Sequence, residues 1–90
     1  MKIRKYIKIY GEVQGVGFRY YAYQTAHMYA LTGWVRNCWD DTVESEVQGD
    51  REAVEAYIQA MNRGSRFSTV DRIETRTVET IAEHSFEIAG

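Results

Sequence analysis

Cysteine occurs once in this 90-residue chain, at Cys38, so no internal disulfide can staple it. A lone cysteine fits a reducing compartment, and the cytoplasm is the expected location. Histidine is almost as scarce. His27 falls in a helical pattern and His84 near the last strand pattern, without the spacing of metal ligands, so each reads as a surface or packing residue. No apolar run approaches a membrane span, and Met1-Lys2-Ile3-Arg4 leads into a strand rather than a signal peptide. An excess of positive charge is missing too. Eleven Lys and Arg against 13 Asp and Glu give a formal net charge of −2, which argues against a general nucleic-acid binder. Repeats, low-complexity tracts and linkers are absent, and residues 1–90 read as a single domain. What remains is core-forming material: 44% hydrophobic and 13% aromatic residues, enough for a chain of this size to fold unaided.

Residues 2–10 alternate as a half-buried strand, with Ile3, Ile7 and Ile9 on one side and Tyr6 and Tyr10 on the other. Lys2, Arg4, Lys5 and Lys8 then read as its solvent side and edge protection. A helix-like run spans Tyr20 to Ala30, with Phe18, Ala22, Ala26 and Ala30 forming a narrow small-residue stripe that Tyr20, Tyr21, Tyr23 and Tyr29 flank. Thr32-Gly33 ends it. Trp34 to Trp39 and Thr42 to Gln48 form a β-hairpin across Asp40-Asp41, where Asp41 is a misfit because such turns favour glycine second. Val43, Ser45 and Val47 face one way. Glu44, Glu46 and Gln48 face the other, and Glu44 and Glu46 are expected to be solvated. Asp50 is the expected N-cap of a second helix that buries Ala53, Val54, Tyr57, Ile58 and Met61 and stops at Gly64. Val70 to Val78 reads as a strand near an edge, and Phe86-Glu87-Ile88 as a short last one. The order β-α-β-β-α-β plus a short strand predicts an α+β, ferredoxin-like split βαβ fold, with two helices on one face of an antiparallel sheet.

One stretch asks for a chemical reason. Gly11-Glu12-Val13-Gln14-Gly15-Val16-Gly17-Phe18-Arg19 places three glycines in seven residues between the first strand and the first helix. A loop whose N–H groups turn inward at a helix N-terminus suits a phosphate or carboxylate, and Arg19 adds a planar fork that matches an oxyanion. A plain glycine-rich turn with a surface arginine fits the same spacing. The topology brings this loop near Arg36, Asn37 and Cys38. The Asn37 amide can both donate to and accept from a water, although taken alone Asn37 reads first as a strand-end residue satisfying local backbone. No paired-carboxylate site stands out, and Cys38 lacks a neighbouring histidine in sequence. The residues point to positioning and electrostatics rather than to metals or covalent intermediates.

Gly11 to Arg19, followed by Leu31-Thr32-Gly33-Trp34-Val35-Arg36-Asn37 and by Val47-Gln48-Gly49, resembles the signatures of the acylphosphatase family across nearly the whole chain. The resemblance implies a ferredoxin-like hydrolase of the carboxyl-phosphate bond of acyl phosphates, without metal or organic cofactor. It implies that Arg19 binds phosphate together with the amides of Gln14, Gly15, Val16, Gly17 and Phe18, and that Asn37 orients the attacking water. The implied partners are a small acyl phosphate and the product phosphate, with no nucleic acid or membrane; a monomer suffices. A non-catalytic anion-binding or regulatory module on the same fold is the alternative. The chain departs from the family pattern at Asp40-Asp41, usually Asp-Gly, at Ala30-Leu31, where a glycine is common, and between Gly64 and Thr69, which lacks proline. Cys38 stands where some members carry a hydroxyl residue.

Overall fold

A computed structural model describes residues 1–90. The chain runs β1 (Lys2–Glu12), α1 (Phe18–Met28), β2 (Thr32–Asn37), β3 (Val43–Asp50), α2 (Arg51–Arg63), β4 (Thr69–Val78) and β5 (Phe86–Ile88). The sheet order is β4-β1-β3-β2-β5. Neighbours pair antiparallel except β5, which joins β2 in parallel, Gly33 opposite Phe86 and Val35 opposite Ile88. Both helices cover one face. Ile7, Ile9, Val35, Val43 and Val47 project from the sheet and meet Phe18, Ala22 and Ala26 of α1 and Val54, Tyr57 and Met61 of α2, all buried. Burying each larger side chain contributes roughly 1.5–3 kcal/mol. Ser45 sits among these valines because its hydroxyl donates to the Trp34 carbonyl oxygen (2.8 Å) and pairs with the Tyr57 hydroxyl (2.8 Å).

Three sequence expectations change here. β1 is not an edge strand, since it lies between β4 and β3; β4 and β5 are the edges. Arg4 is not solvated but only 2% exposed. The segment between β4 and β5 crosses the sheet face opposite the helices, and Arg4 pairs beneath it with Glu46 (2.6 Å) and Glu83 (2.7 Å). Gln48 holds the same segment, donating to the Ile81 carbonyl oxygen (2.8 Å) and accepting from the Ile81 N–H (2.9 Å). Glu44 and Glu46 are likewise engaged rather than solvated. Glu44 accepts from the Tyr6 hydroxyl and from Arg36. Third, Gly11 belongs to β1 rather than to the loop. It occupies a bulge against β4, where a Cβ would collide with the Thr69 carbonyl oxygen.

The helix ends explain further differences. α1 stops at Met28, and Ala30 leaves the stripe to become the left-handed residue of a Schellman motif, with φ 56°. Leu31 N–H donates to the Ala26 carbonyl oxygen (2.9 Å) and Ala30 N–H to that of His27 (3.2 Å). Asp50 does occupy the N-cap of α2, yet its side chain makes no capping bond; Arg51 N–H instead donates to the Met1 carbonyl oxygen (3.0 Å). The hairpin loop is Trp39-Asp40-Asp41 rather than a two-residue turn: Cys38 N–H donates to the Thr42 carbonyl oxygen (2.9 Å). Asp41 is left-handed, φ 70°, the residue flagged as a misfit.

Left-handed backbone costs a non-glycine residue about 1–2 kcal/mol, partly offset by the ~0.4–1 kcal/mol that alanine saves in the unfolded chain. Ala30→Gly is therefore expected to stabilise the fold by about 0.5–1 kcal/mol, raising Tm by roughly 2–8 °C. Thermal unfolding followed by circular dichroism checks this, and an unchanged or lowered Tm would contradict the strain assigned to Ala30.

Candidate active site

The turn between β1 and α1 is built by two glycines in left-handed conformation, Gly15 at φ 75° and Gly17 at φ 78°, with Val16 at negative φ between them. Alternating φ signs swing successive N–H groups toward one side, the geometry of an anion nest. A Cβ on either glycine would meet no atom within 4 Å, so space does not demand glycine there; the backbone conformation does. Gly17 is also the N-cap of α1 and supplies no capping side chain, and the first turn holds no acidic residue. The first N–H groups of α1 thus keep the partial positive charge of an uncapped helix end.

These groups border a pocket of about 230 Å³ lined by Gly15, Gly17, Phe18, Arg19, Tyr20 and Asn37, with Val13 and Ile88 completing it. The fold thus brings together Arg19 and Asn37, 18 positions apart in the chain, with Gly15, Gly17 and Phe18 between them. Arg19 makes no ion pair and no side-chain hydrogen bond, unlike Arg4, Lys8, Arg36 and Arg72, which all pair with carboxylates. Asn37 ends β2, and its N–H donates to the Gly90 carbonyl oxygen (3.0 Å). Its side-chain Oδ1 is buried and accepts from no protein group, the one such buried side-chain atom in the structure. An unpaired buried acceptor is costly in a core and useful beside a pocket that admits water.

Gln14 and Val16 border a different depression, with Gly11, Glu12 and Asp41. The Gln14 side chain has a task that its sequence position does not reveal. Its Nε2 donates to the Cys38 carbonyl oxygen (2.8 Å) and to the Thr42 carbonyl oxygen (2.9 Å), tying the glycine turn to the hairpin that carries Asn37. The hairpin is braced in turn by Asp40, which accepts from the Thr42 hydroxyl (2.6 Å) and pairs with Lys8 (3.2 Å). The Thr42 hydroxyl, seconded by Lys8, draws the Asp40 carboxyl down to about 2. The brace is fully present above the ordinary carboxylate range and is lost only as pH falls through about 2.

A second pocket of about 410 Å³ lies on the other side of Asn37, lined by Lys8, Arg36, Cys38, Trp39, Asp40 and Glu44. Burial, with the Glu44 carboxylate beside it, pushes the Cys38 thiol up against the opposing effect of the Thr42 hydroxyl, so Cys38 stays a weak nucleophile. His27 and His84, distant in sequence, border one depression between α1 and β5, where His27 packs on the Tyr23 ring at 4.5 Å. No three His, Cys, Asp or Glu side chains are grouped to hold a metal ion. On the sheet face opposite the helices, Arg76, Arg72 and Arg36 lie over the rings of Tyr6 (4.1 Å), Tyr10 (3.9 Å) and Trp34 (5.2 Å). No helix is long and apolar enough to cross a membrane.

Comparison with known proteins agrees with this geometry. The family model described as Acylphosphatase matches residues 5–88. The acylphosphatase of Clostridium acetobutylicum is 42% identical over 89 residues, covering 98% of this chain and 98% of its own length. The crystal structure of acylphosphatase from Bacillus subtilis superposes with a TM-score of 0.93 at 35% identity, each chain covered in full. Full-length HypF, in a phosphate- and nucleotide-bound form, matches with a TM-score of 0.93 at 34% identity, over 100% of this chain and 12% of that one. With a match that runs from end to end at this level of identity, the chain belongs to the acylphosphatase family, enzymes that hydrolyse small acyl phosphates.

Proposed function

We propose that residues 1–90 act as one acylphosphatase domain in which Arg19 and the backbone amides from Gln14 through Phe18 hold the phosphoryl group and Asn37 orients the attacking water. The observation that carries this reading is the Asn37 Oδ1, a buried acceptor with no protein donor, beside a pocket that also holds an unpaired arginine and an uncapped helix end. Arginine and amide donors suit an anion rather than a cation, so the reaction is read as metal-independent. Guanidinium groups already cover the aromatic rings of the open sheet face, which disfavours base stacking there, and the small acyl phosphate is taken as the ligand.

The chemistry follows from charge. In a loose phosphoryl transfer, negative charge gathers on the departing carboxylate while the three equatorial oxygens stay anionic. Preorganised donors around those oxygens stabilise that distribution without reorganising at the moment of reaction. The Asn37 Oδ1 accepts from a water and aims its lone pair at phosphorus. The water oxygen–phosphorus bond forms, the phosphorus–acyl oxygen bond breaks, and its electron pair leaves with the carboxylate. No carboxylate or imidazole lines the pocket, so the water's proton passes to a phosphate oxygen of the substrate itself. The likeness to a segment of HypF supports one second reading, a phosphate-binding module that does not turn over.

With benzoyl phosphate as substrate and EDTA present, the wild type is expected to turn over while Asn37→Ala loses about 10²–10³-fold in kcat yet still binds inorganic phosphate. Arg19→Ala is expected to lose turnover and phosphate binding together, as read by calorimetric titration. Phosphate binding without turnover in the wild type would favour the non-catalytic module, and undiminished turnover by Asn37→Ala would end its assigned role. Gln14→Ala, which frees the turn from the hairpin, should lower kcat/KM about 30-fold, on the scale of two hydrogen bonds at ~1 kcal/mol each. Gln14→Glu should fall lower still, because it aims a carboxylate at two carbonyl oxygens. Equal activity for all three chains would remove Gln14 as the link between turn and hairpin.

A further inference from the structure

The pocket at Arg19 has two kinds of wall. Gly15, Gly17, Arg19 and Asn37 offer donors and one acceptor; Val13 and Phe18 back them, and Tyr20 and Ile88 stand at the rim. The rim residues are conspicuous because Tyr20 is 58% exposed and Ile88 44% exposed, whereas Val13 and Phe18 are buried. Large apolar side chains left open beside a polar pocket are suited to covering an apolar part of a ligand.

Neither rim residue is free to wander. The Tyr20 ring stacks on Tyr23, with centroids 6.3 Å apart and an interplanar angle of 16°. Ile88 is held by the pairing of β5 with β2, where it stands opposite Val35 and the next N–H, of Ala89, donates to the Val35 carbonyl oxygen (2.8 Å). Surfaces fixed before the ligand arrives spare the ordering cost of binding.

The pocket on the other side of Asn37 is the rival place for the rest of a substrate. Its cations are already engaged, Lys8 with Asp40 (3.2 Å) and Arg36 with Glu44 (2.8 Å). A substrate carrying a second anionic group would have to compete with those carboxylates. That wall therefore adds no net attraction for such a group, whereas the Tyr20 and Ile88 wall attracts a flat apolar one.

We infer that Tyr20 and Ile88 form the acyl-group subsite, and that they select acyl phosphates with an apolar, planar acyl group over small or doubly anionic ones. The inference rests on the reading of Arg19 and Asn37 as phosphate and water sites. The subsite touches only the leaving portion of the substrate, so it acts on discrimination between acyl groups and leaves phosphate recognition to Arg19.

The experiment measures kcat/KM for benzoyl phosphate and acetyl phosphate with the wild type, Tyr20→Ser, Tyr20→Phe and Ile88→Thr, and the inhibition constant of inorganic phosphate for each. Threonine keeps the β-branch that a strand position favours, and phenylalanine keeps the ring. The benzoyl-to-acetyl ratio is expected to fall roughly tenfold in Tyr20→Ser and severalfold in Ile88→Thr, on the scale of lost apolar contact in a binding pocket. Tyr20→Phe should keep the wild-type ratio, and phosphate inhibition should change little in any variant. A ratio unchanged in both Tyr20→Ser and Ile88→Thr, or equal losses for the two substrates, would overturn the subsite while leaving the phosphate site standing. A wild type that hydrolyses neither substrate would instead overturn the underlying reading of Arg19 and Asn37, and the subsite with it.

Discussion

A single amide group sets the distance between the two halves of the site. Gln14 Nε2 spans from the glycine turn to the carbonyl oxygens of Cys38 and Thr42, residues that close the loop directly after Asn37. Both carbonyls already accept a backbone N–H, Cys38 from Asp41 and Thr42 from Cys38, so the glutamine locks a loop that is locally complete. Because the lock engages the hairpin backbone, no side chain has to cross the pocket. Arg19 and Asn37 can then border one pocket with the guanidinium and the Oδ1 both unpaired, which a site held together by its own reactive groups could not achieve. On the proposed reading, the free energy lost by leaving those groups unpaired is what a ligand recovers on binding.

The opposite face of the sheet solves a different problem. From the end of β4, the outer strand, the chain must reach the far side of β2 to lay down β5, and the segment that does so has no regular hydrogen bonds of its own. Gln48 stands in for a neighbouring strand by pairing with both backbone groups of Ile81. Arg4 adds a charged anchor between Glu46 and Glu83. Desolvating a guanidinium is expensive and its carboxylates repay that only with good geometry, so such a cluster specifies a path more securely than it adds stability. The path matters to the site, because β5 delivers Ile88 to the pocket rim and leads into the Gly90 carbonyl that accepts from Asn37 N–H.

Alternation along β1 correctly assigned Ile7 and Ile9 to the core, since a half-buried strand has period two. The same alternation could not separate Arg4 from Lys8, which share a face. What buries Arg4 lies 79 positions away, at Glu83, in a segment whose own pattern carries no periodic signal. The glycines of the first motif looked alike in sequence, yet they serve two ends. Gly11 is required by a collision with a neighbouring strand, Gly15 and Gly17 by left-handed backbone. Asn37 was legible as a candidate only because topology placed it by the turn and a family pattern singled it out. Its unpaired oxygen is a property of its surroundings, not of its neighbours in sequence. The Gln14 side chain was illegible because its acceptors are backbone carbonyls, which every residue possesses. Ala30 and Asp41 were visible as departures, and both proved to be left-handed residues without the glycine that such backbone favours.

The absence of a carboxylate or imidazole from the pocket lining shapes what the reaction can use. The Glu44 carboxylate borders the second pocket and is drawn below its ordinary range by the Tyr6 hydroxyl, with Arg36 and Cys38 adding to the effect. Holding those donors, it is a poor acceptor for a further proton near neutrality. The Cys38 thiol beside it is pushed the other way and stays protonated. On the proposed reading, an anionic phosphoryl oxygen of the substrate is then the group left to take the water's proton. A permanently charged arginine is the partner that such an arrangement needs. A lysine would be a more compact, more strongly hydrated charge without the planar fork that lets a guanidinium present parallel N–H donors to phosphoryl oxygens. Binding strength and proton transfer are thereby separated. On that reading the protein fixes charge and position, and the substrate supplies the base.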